Sequence, residues 1–134
     1  MGRALCLDVG ERRIGVAVSD AEGWLASPLL VLERRGPERD FARIAALVTE
    51  HGAERVVVGL PRSLDGAIGP QARRVQRWTN RLRPHLSVPI VYWDEQFSTA
   101  EAERLLAALT ARRRPGVDAA AAAVILQDYL NANR

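Results

Sequence analysis

The chain opens with Ala4-Leu5-Cys6-Leu7-Asp8-Val9-Gly10, an apolar run that predicts a strand of the core and carries a single carboxylate, Asp8. A charge inside a buried strand costs free energy unless a partner compensates it. Two more acids stand in comparable places, since Glu95 follows a later apolar run and Asp118 begins an alanine-rich one. Three carboxylates at the edges of apolar elements favour a site for a divalent metal ion.

Short turns separate this strand from two others, predicted over residues 14–19 and 24–32, and such tight connections predict an antiparallel meander. The hydrophobic period then becomes helical. Helices are predicted at 37–52, from Pro70, from the capping box that begins at Ser98, and at 118–131, with strands at 55–60 and 88–93. The order βββαβαβαα predicts an α/β domain spanning 1–134. Its mixed five-stranded sheet, three antiparallel strands followed by parallel ones, has helices on both faces and the first strand at its centre.

Size and composition agree with this domain. The chain has 134 residues, of which 48% are hydrophobic and 26% charged, as in an ordinary globular protein. No apolar run approaches the ~20 residues of a membrane span, and no secretion signal is recognised, so neither a membrane partner nor export is expected. The single cysteine, Cys6, excludes an internal disulfide and suits a reducing cytoplasm.

The chain has 19 arginines and no lysine, and its formal net charge is +3. Arginine suits bidentate binding of phosphate, although each of these residues taken singly also fits a solvated surface. Four arginines without an acid among them, at 73, 74, 77 and 81, are unusual for an exposed helix face, which normally mixes signs. The arginines predicted to contact nucleic acid are Arg12, Arg13, Arg62, Arg73, Arg77, Arg112, Arg113 and Arg114.

The three acids predict a chemistry. Hard oxygen ligands without a neighbouring histidine or thiolate favour Mg²⁺ or Mn²⁺ over zinc. Such ions catalyse cleavage of phosphodiester bonds. Other interpretations stay open for the single residues, because Asp118 alone would serve equally well as a helix N-cap and Glu95 alone as a solvated loop residue. Asp8 is the hardest to explain without a metal.

Four ordered segments resemble the motifs of the YqgF/RuvX family. They are Asp8–Asp20, Gly59–Pro61 followed by Asp65-Gly66, Asp94-Glu95 followed by Ser98-Thr99, and Asp118–Ala121 running into Ile125–Leu130. The resemblance covers essentially the whole chain. One departure is Gln96, which stands where the family usually has arginine.

The resemblance implies an RNase H-like fold and a bacterial cytoplasmic nuclease, described both as a Holliday junction resolvase and as a nuclease that matures the 5′ end of 16S ribosomal RNA. By similarity, Asp8, Glu95 and Asp118 are the metal-binding catalytic acids. The expected partner is structured RNA or branched DNA, bound by a monomer or a homodimer. Symmetric cleavage of a four-way junction requires the dimer. The other hypotheses are a nucleic-acid-binding module without activity and an actin-like phosphotransferase.

Overall fold

A computed structural model describes residues 2–61, 67–95 and 117–134, with the main chain alone for Glu95 and Val117. The elements are β1 (Ala4–Val9), β2 (Arg13–Ser19), β3 (Ala26–Glu33), α1 (Pro37–His51), β4 (Arg55–Pro61), α2 (Pro70–Leu82), a 3₁₀ turn (Arg83–His85), β5 (Ile90–Glu95) and α3 (Val117–Ala132). The helix predicted to begin at Ser98 lies outside the described residues.

The five strands form one sheet in the order β3-β2-β1-β4-β5. β1 pairs antiparallel with β2, and β2 with β3, whereas β4 is parallel to both β1 and β5. The predicted mixed sheet is therefore confirmed, and β1 lies at its centre. Because neighbours cover this strand on both edges and both faces, residues 4–7 have no exposed surface.

Helices cover both faces of the sheet, as predicted. Side chains alternate along β1, so that Leu5 and Leu7 pack in a large apolar cluster with α1 and α2, whereas Ala4 and Cys6 pack in a second cluster with α3. The face under α1 and α2 holds most of the large side chains. The α3 face is built largely from small ones, which lets this helix lie close to the strands.

Local sequence explains the ends of the helices. Pro37 begins α1, and Gly52 ends it in the left-handed conformation with φ of 60°. Helix α2 also begins at a proline, and it buries Val75, Trp78, Thr79 and Leu82 along one side. None of the helices in the described ranges is long and apolar enough to cross a membrane.

Three predicted strand boundaries were wrong by two residues, the start of β3 and both ends of β5, which begins at Ile90 and not at Val88. Glu95 was expected just past the fifth strand but is its last residue, because β5 continues beside β4 as far as the pair Pro61–Glu95. The third strand was expected to begin at Trp24. The Asp20 carboxylate instead accepts hydrogen bonds from the main-chain N–H groups of Trp24 (2.7 Å) and Leu25 (3.1 Å), which holds both residues in the turn before β3.

The first turn of α3 packs directly against β2 at Gly15. A β-carbon built on this glycine would overlap the main-chain carbonyl group of Asp118 and would lie 3.0 Å from the nitrogen of Ala119. Further along α3, Ala122 and Leu126 have no exposed surface against the sheet. A glycine at position 15 is therefore required for the helix to begin where it does.

We expect the Gly15→Ala substitution to lower the free energy of unfolding toward the upper end of about 1–3 kcal/mol, because the added methyl group meets main-chain atoms that cannot rotate away. Urea denaturation measures this. Gly69→Ala is the control, since nothing lies within 4 Å of a β-carbon there. Its cost should stay below about 1 kcal/mol, from the helix N-cap preference alone. Equal losses for the two variants would contradict the close approach at Gly15.

Candidate metal and nucleic-acid site

Asp8 lies on the face of the sheet that α3 covers. It follows Ala4 and Cys6 at intervals of two along β1, and both of these pack in the α3 cluster. Its partner across the strand pair is Gly15 of β2. Asp8 is half-buried, whereas the apolar residues before it in β1 are fully buried. The carboxylate thus stands where the covered part of the strand meets the exposed edge of the sheet.

Asp118 lies in the first turn of α3, and its main chain rests on Gly15. Residues directly opposite each other in an antiparallel pair have α-carbons about 4.5–5.5 Å apart and share a face of the sheet. Asp8 and Asp118 therefore approach the same glycine, one from the neighbouring strand and the other from the helix above it. The structure brings these two acids, 110 positions apart in the chain, to one face and one edge of the sheet.

The main chain of Glu95 reaches the same edge. β1, β4 and β5 are parallel to one another, so that Val9, Pro61 and Glu95 end their strands side by side. The strand between β1 and β5 carries Gly59, two residues after Val57 of the α3 cluster. This glycine leaves no side chain on that face at its own position, opposite Trp93 of β5, whereas Pro61 stands directly opposite Glu95. The side chain of Glu95 lies outside the described part of the structure.

A cation stands beside one of the acids. The Nη1 atom of Arg13 is 3.9 Å from Oδ2 of Asp118. Both side chains are well exposed, at 62% and 39%, so solvent screens the pair. Arg13 begins β2 two residues before Gly15 and lies on the same face of that strand. The edge of the sheet that carries Asp8 and Asp118, called the acidic edge below, therefore includes a guanidinium group that is open to solvent.

The donor chemistry at this edge fits a hard divalent cation. Asp8 and Asp118 offer carboxylate oxygens, while Cys6, on the same face, is fully buried. The two histidines belong to the opposite side of the sheet, where His85 packs on Phe41 at 5.2 Å between ring centroids and His51 ends α1. Within the ranges that the structure describes, no three histidine, cysteine, aspartate or glutamate side chains form a group able to hold a metal ion.

The other arginines predicted to bind nucleic acid are dispersed. Arg12 is exposed in the turn between β1 and β2, and Arg73 is exposed on α2. Arg77 lines a groove beside this turn, together with Arg34, Arg74 and Arg81. The four remaining candidates, Arg62, Arg112, Arg113 and Arg114, lie outside the described residues.

Of the four arginines in this groove, only Arg77 is among the nucleic-acid contacts predicted from the sequence, although Arg74 and Arg81 belong to the same set without acids. The spacing of Arg74, Arg77 and Arg81, at i, i+3 and i+7, is a signal for a shared helix face that could have separated them from Arg73. Arg34 carries no such signal, because only the folded sheet brings the end of β3 beside α2. The close contact at Gly15 was likewise not predicted.

The fold is that of RNase H-like Holliday junction resolvases. Over 99% of this chain and 96% of the other, it is similar to Thermus thermophilus RuvC solved in complex with a Holliday junction substrate, with a TM-score of 0.63 and 16% sequence identity. The fowlpox virus Holliday junction resolvase gives a TM-score of 0.58 at 12% identity, covering 97% of this chain and 99% of that one. At these identities the similarity shows the fold alone.

Sequence comparison then defines the family. A family model described as "RuvX: Holliday junction resolvase" matches residues 2–132, and the chain belongs to this family. A relative from Desulforudis audaxviator, called "Putative pre-16S rRNA nuclease", is 47% identical over 135 residues, covering 98% of this chain and 96% of its own. A relative of the same name from Chloroflexus aurantiacus is 48% identical over 133 residues, covering 97% of this chain and 87% of its own.

We expect the Arg13–Asp118 pair to contribute little to stability. In a double-mutant cycle with Arg13→Gln and Asp118→Asn, followed by urea unfolding, the coupling free energy should stay below about 1 kcal/mol, because both groups are exposed. A cycle on the exposed pair Arg35–Glu33, 3.5 Å apart, gives the reference value for a second surface pair. Because Glu33 lies opposite Arg13 across the β2–β3 pair, each cycle is measured with the other pair intact. A coupling above about 2 kcal/mol for the first pair alone would make Arg13 a structural residue.

Proposed function

We propose that this protein is a divalent-metal-dependent nuclease that hydrolyses phosphodiester bonds in structured nucleic acid, acting in the 5′-end maturation of pre-16S ribosomal RNA in the cytoplasm. One observation carries the proposal: in a chain of the RuvX family, Asp8 and the first turn of α3 with Asp118 meet at the same residue, Gly15. The main chains that carry the two carboxylates meet at one point of the sheet, and carboxylates that come near each other repel unless a cation lies near both.

In this proposal Asp8, Asp118 and Glu95 hold Mg²⁺ or Mn²⁺. Glu95 is the last residue of β5, and its main chain lies at the same edge of the sheet as Asp8, near the end of β1. This position supports including Glu95 among the metal ligands. On the middle strand, Gly59 adds no side chain to this face, and Pro61 is the residue opposite Glu95. When bound, such ions lower the pKa of a coordinated water and stabilise the charge that develops on the leaving oxygen.

The side chains of this edge bind and orient the substrate. The main chain of Asp8 is held by its pairing with Gly15 of β2, directly after the residues of β1 that pair on both sides, so its position is fixed before the substrate arrives. Asp118 is fixed through the contact of its main chain with Gly15. Arg13 supplies a guanidinium that can form two parallel hydrogen bonds with a phosphate of the bound strand. Arg12, Arg62, Arg73, Arg77 and Arg112–Arg114 extend the contact to flanking phosphates.

The names of the relatives favour ribosomal RNA as the substrate. A second candidate, resolution of Holliday junctions, is favoured by the description of the family model and by the RuvC-like fold. The two candidates differ in what they require of the protein. A four-way junction must be cut at two symmetric positions, and each chain supplies one set of acids, so resolution requires a homodimer. Trimming one RNA end needs a single set.

We expect Asp8→Asn to lower Mg²⁺- or Mn²⁺-dependent cleavage by about 100-fold or more, because the amide cannot carry the charge that holds the cation. Asp118→Asn should act in the same direction. Asp128→Asn is the matched control, an exposed acid ten positions further along α3 and about 15 Å away along the axis. Circular dichroism and urea unfolding establish that each variant is folded.

The substrate is decided by presenting purified protein with precursor 16S RNA and with a four-way DNA junction in parallel, and by measuring its mass in solution. Cleavage of the RNA at its 5′ side, abolished in Asp8→Asn and retained in Asp128→Asn, is the expected result. Symmetric cleavage of the junction by a homodimer, with the RNA left intact, would replace the first candidate by the second. Full cleavage by a folded Asp8→Asn variant would refute the metal-dependent mechanism.

A further inference from the structure

A groove of about 530 Å³ lies on the opposite side of the sheet from the acids, between α2, the start of α1 and the turn that joins β1 to β2. Four arginines line it: Arg34, Arg74, Arg77 and Arg81. Its other charged lining residue is Glu11. Four guanidinium groups against one carboxylate give the groove a surplus of three positive charges, as large as the formal net charge of the whole chain.

The three arginines of α2 form one row along the helix. Positions 74, 77 and 81 fall on the same side, and the seven residues between the first and the last correspond to about 10 Å along the axis. All three are exposed. Among the described residues, no carboxylate lies within 4 Å of any of their side chains. Their positive charge is therefore not neutralised by an ion pair within that part of the chain.

The walls of the groove are well ordered by packing. Trp78 stands between the arginines on α2, is only 7% exposed, and meets Phe41 edge to face at 5.5 Å between ring centroids. Opposite it, the Nη1 atom of Arg34 donates a hydrogen bond of 2.8 Å to the main-chain oxygen of Gly10. This bond ties one arginine to the turn that follows Asp8. The arginine row thus faces a wall that this hydrogen bond joins to the β1–β2 turn.

We propose that this groove binds the sugar–phosphate backbone of one strand of the nucleic-acid substrate, at phosphates remote from the bond that is cut. The inference rests on the proposed nuclease function for the identity of the ligand. A row of cations about 10 Å long, set along a duplex, spans about three steps of one strand and so about four successive phosphates, which are spaced at about 3.4 Å along the axis. A single free phosphate would engage only part of the row.

The position of the groove explains how one strand could reach both sites. Val9 and Gly10 line the groove, and they follow Asp8 immediately in the chain. Because successive residues of a strand point to opposite faces, Asp8 faces α3 while Val9 faces α2. Nucleic acid bound at this edge can therefore cross the β1–β2 turn with its scissile bond on one side and the flanking phosphates on the other.

Salt dependence of binding tests the proposal, with cleavage removed by the Asp8→Asn background in every protein. The probes are a short labelled RNA duplex and a DNA duplex of the same sequence, titrated at salt concentrations from about 50 to 200 mM. The test variant is Arg77→Gln/Arg81→Gln. The matched control is Arg43→Gln/Arg134→Gln, which removes the same charge from two exposed arginines outside the groove.

We expect the test variant to bind roughly tenfold or more weakly at the middle of the salt range. The slope of log affinity against log salt should become shallower by about two, one for each phosphate that an arginine no longer binds. The control variant should keep the slope of the parent.

A third variant, Glu11→Gln, changes the charge of the groove in the opposite direction and should bind a few-fold more tightly. Equal weakening on RNA and DNA marks binding to the backbone, and weakening on RNA alone marks binding that also involves the 2′-hydroxyl.

Equal slopes for the test and control variants, or weaker binding by Glu11→Gln, would overturn the groove proposal. These outcomes are separable from a failure of the nuclease proposal. If the wild-type protein cleaves with the expected dependence on Asp8 while the groove variants bind as their parent does, only the groove is refuted. If the groove variants lose affinity while the wild-type protein cuts neither RNA nor DNA, the groove stands as a binding site and the nuclease proposal fails.

Discussion

The contact between the first turn of α3 and Gly15 sets the position of everything else at the acidic edge. The strands present mainly small side chains to α3, so the height of its first turn above them depends on how closely its main chain can approach. Only glycine permits the carbonyl group of Asp118 to lie where it does. Because Gly15 is also the cross-strand partner of Asp8, the same contact that positions the helix brings the main chains of Asp8 and Asp118 to one residue.

The period of β1 explains why the edge has two chemically different sides. Leu5, Leu7 and Val9 contact the large apolar cluster, whereas Ala4, Cys6 and Asp8 belong to the face under α3. At the half-buried end of the strand, Asp8 continues the α3 side and Val9 continues the other side. Asp8 and Asp118 then lie on one side of the sheet and the arginine groove on the other. Each side also carries an opposite charge, since Arg13 stands beside Asp118 and Glu11 lines the groove.

Sequence patterns of short range predict most of the fold and the residue types of the site, but not its geometry. The apolar run before Asp8, the tight turns of the meander and the helical period after Gly36 predict the sheet and its central strand. The ends of strands are predicted less well because they depend on the neighbouring strand, and Glu95 belongs to β5 since β4 extends beside it.

The meeting of Asp8 and Asp118 at Gly15 results from the packing of α3 on β2, elements about a hundred residues apart. The groove likewise forms only because β3 leads into α1 beside α2, an approach that nothing local in the chain specifies.

The pairing of Arg13 with Asp118 has a consequence for how a strand would enter the proposed site. At 3.9 Å and with both groups exposed, the pair is held weakly, and solvent already satisfies much of each charge. A phosphate offers the guanidinium a second planar set of acceptors with the geometry that arginine prefers. Exchanging a loose carboxylate contact for a bidentate phosphate contact therefore costs little. The same residue can then offset the charge of Asp118 in the free protein and bind the backbone of a nucleic acid when one is present.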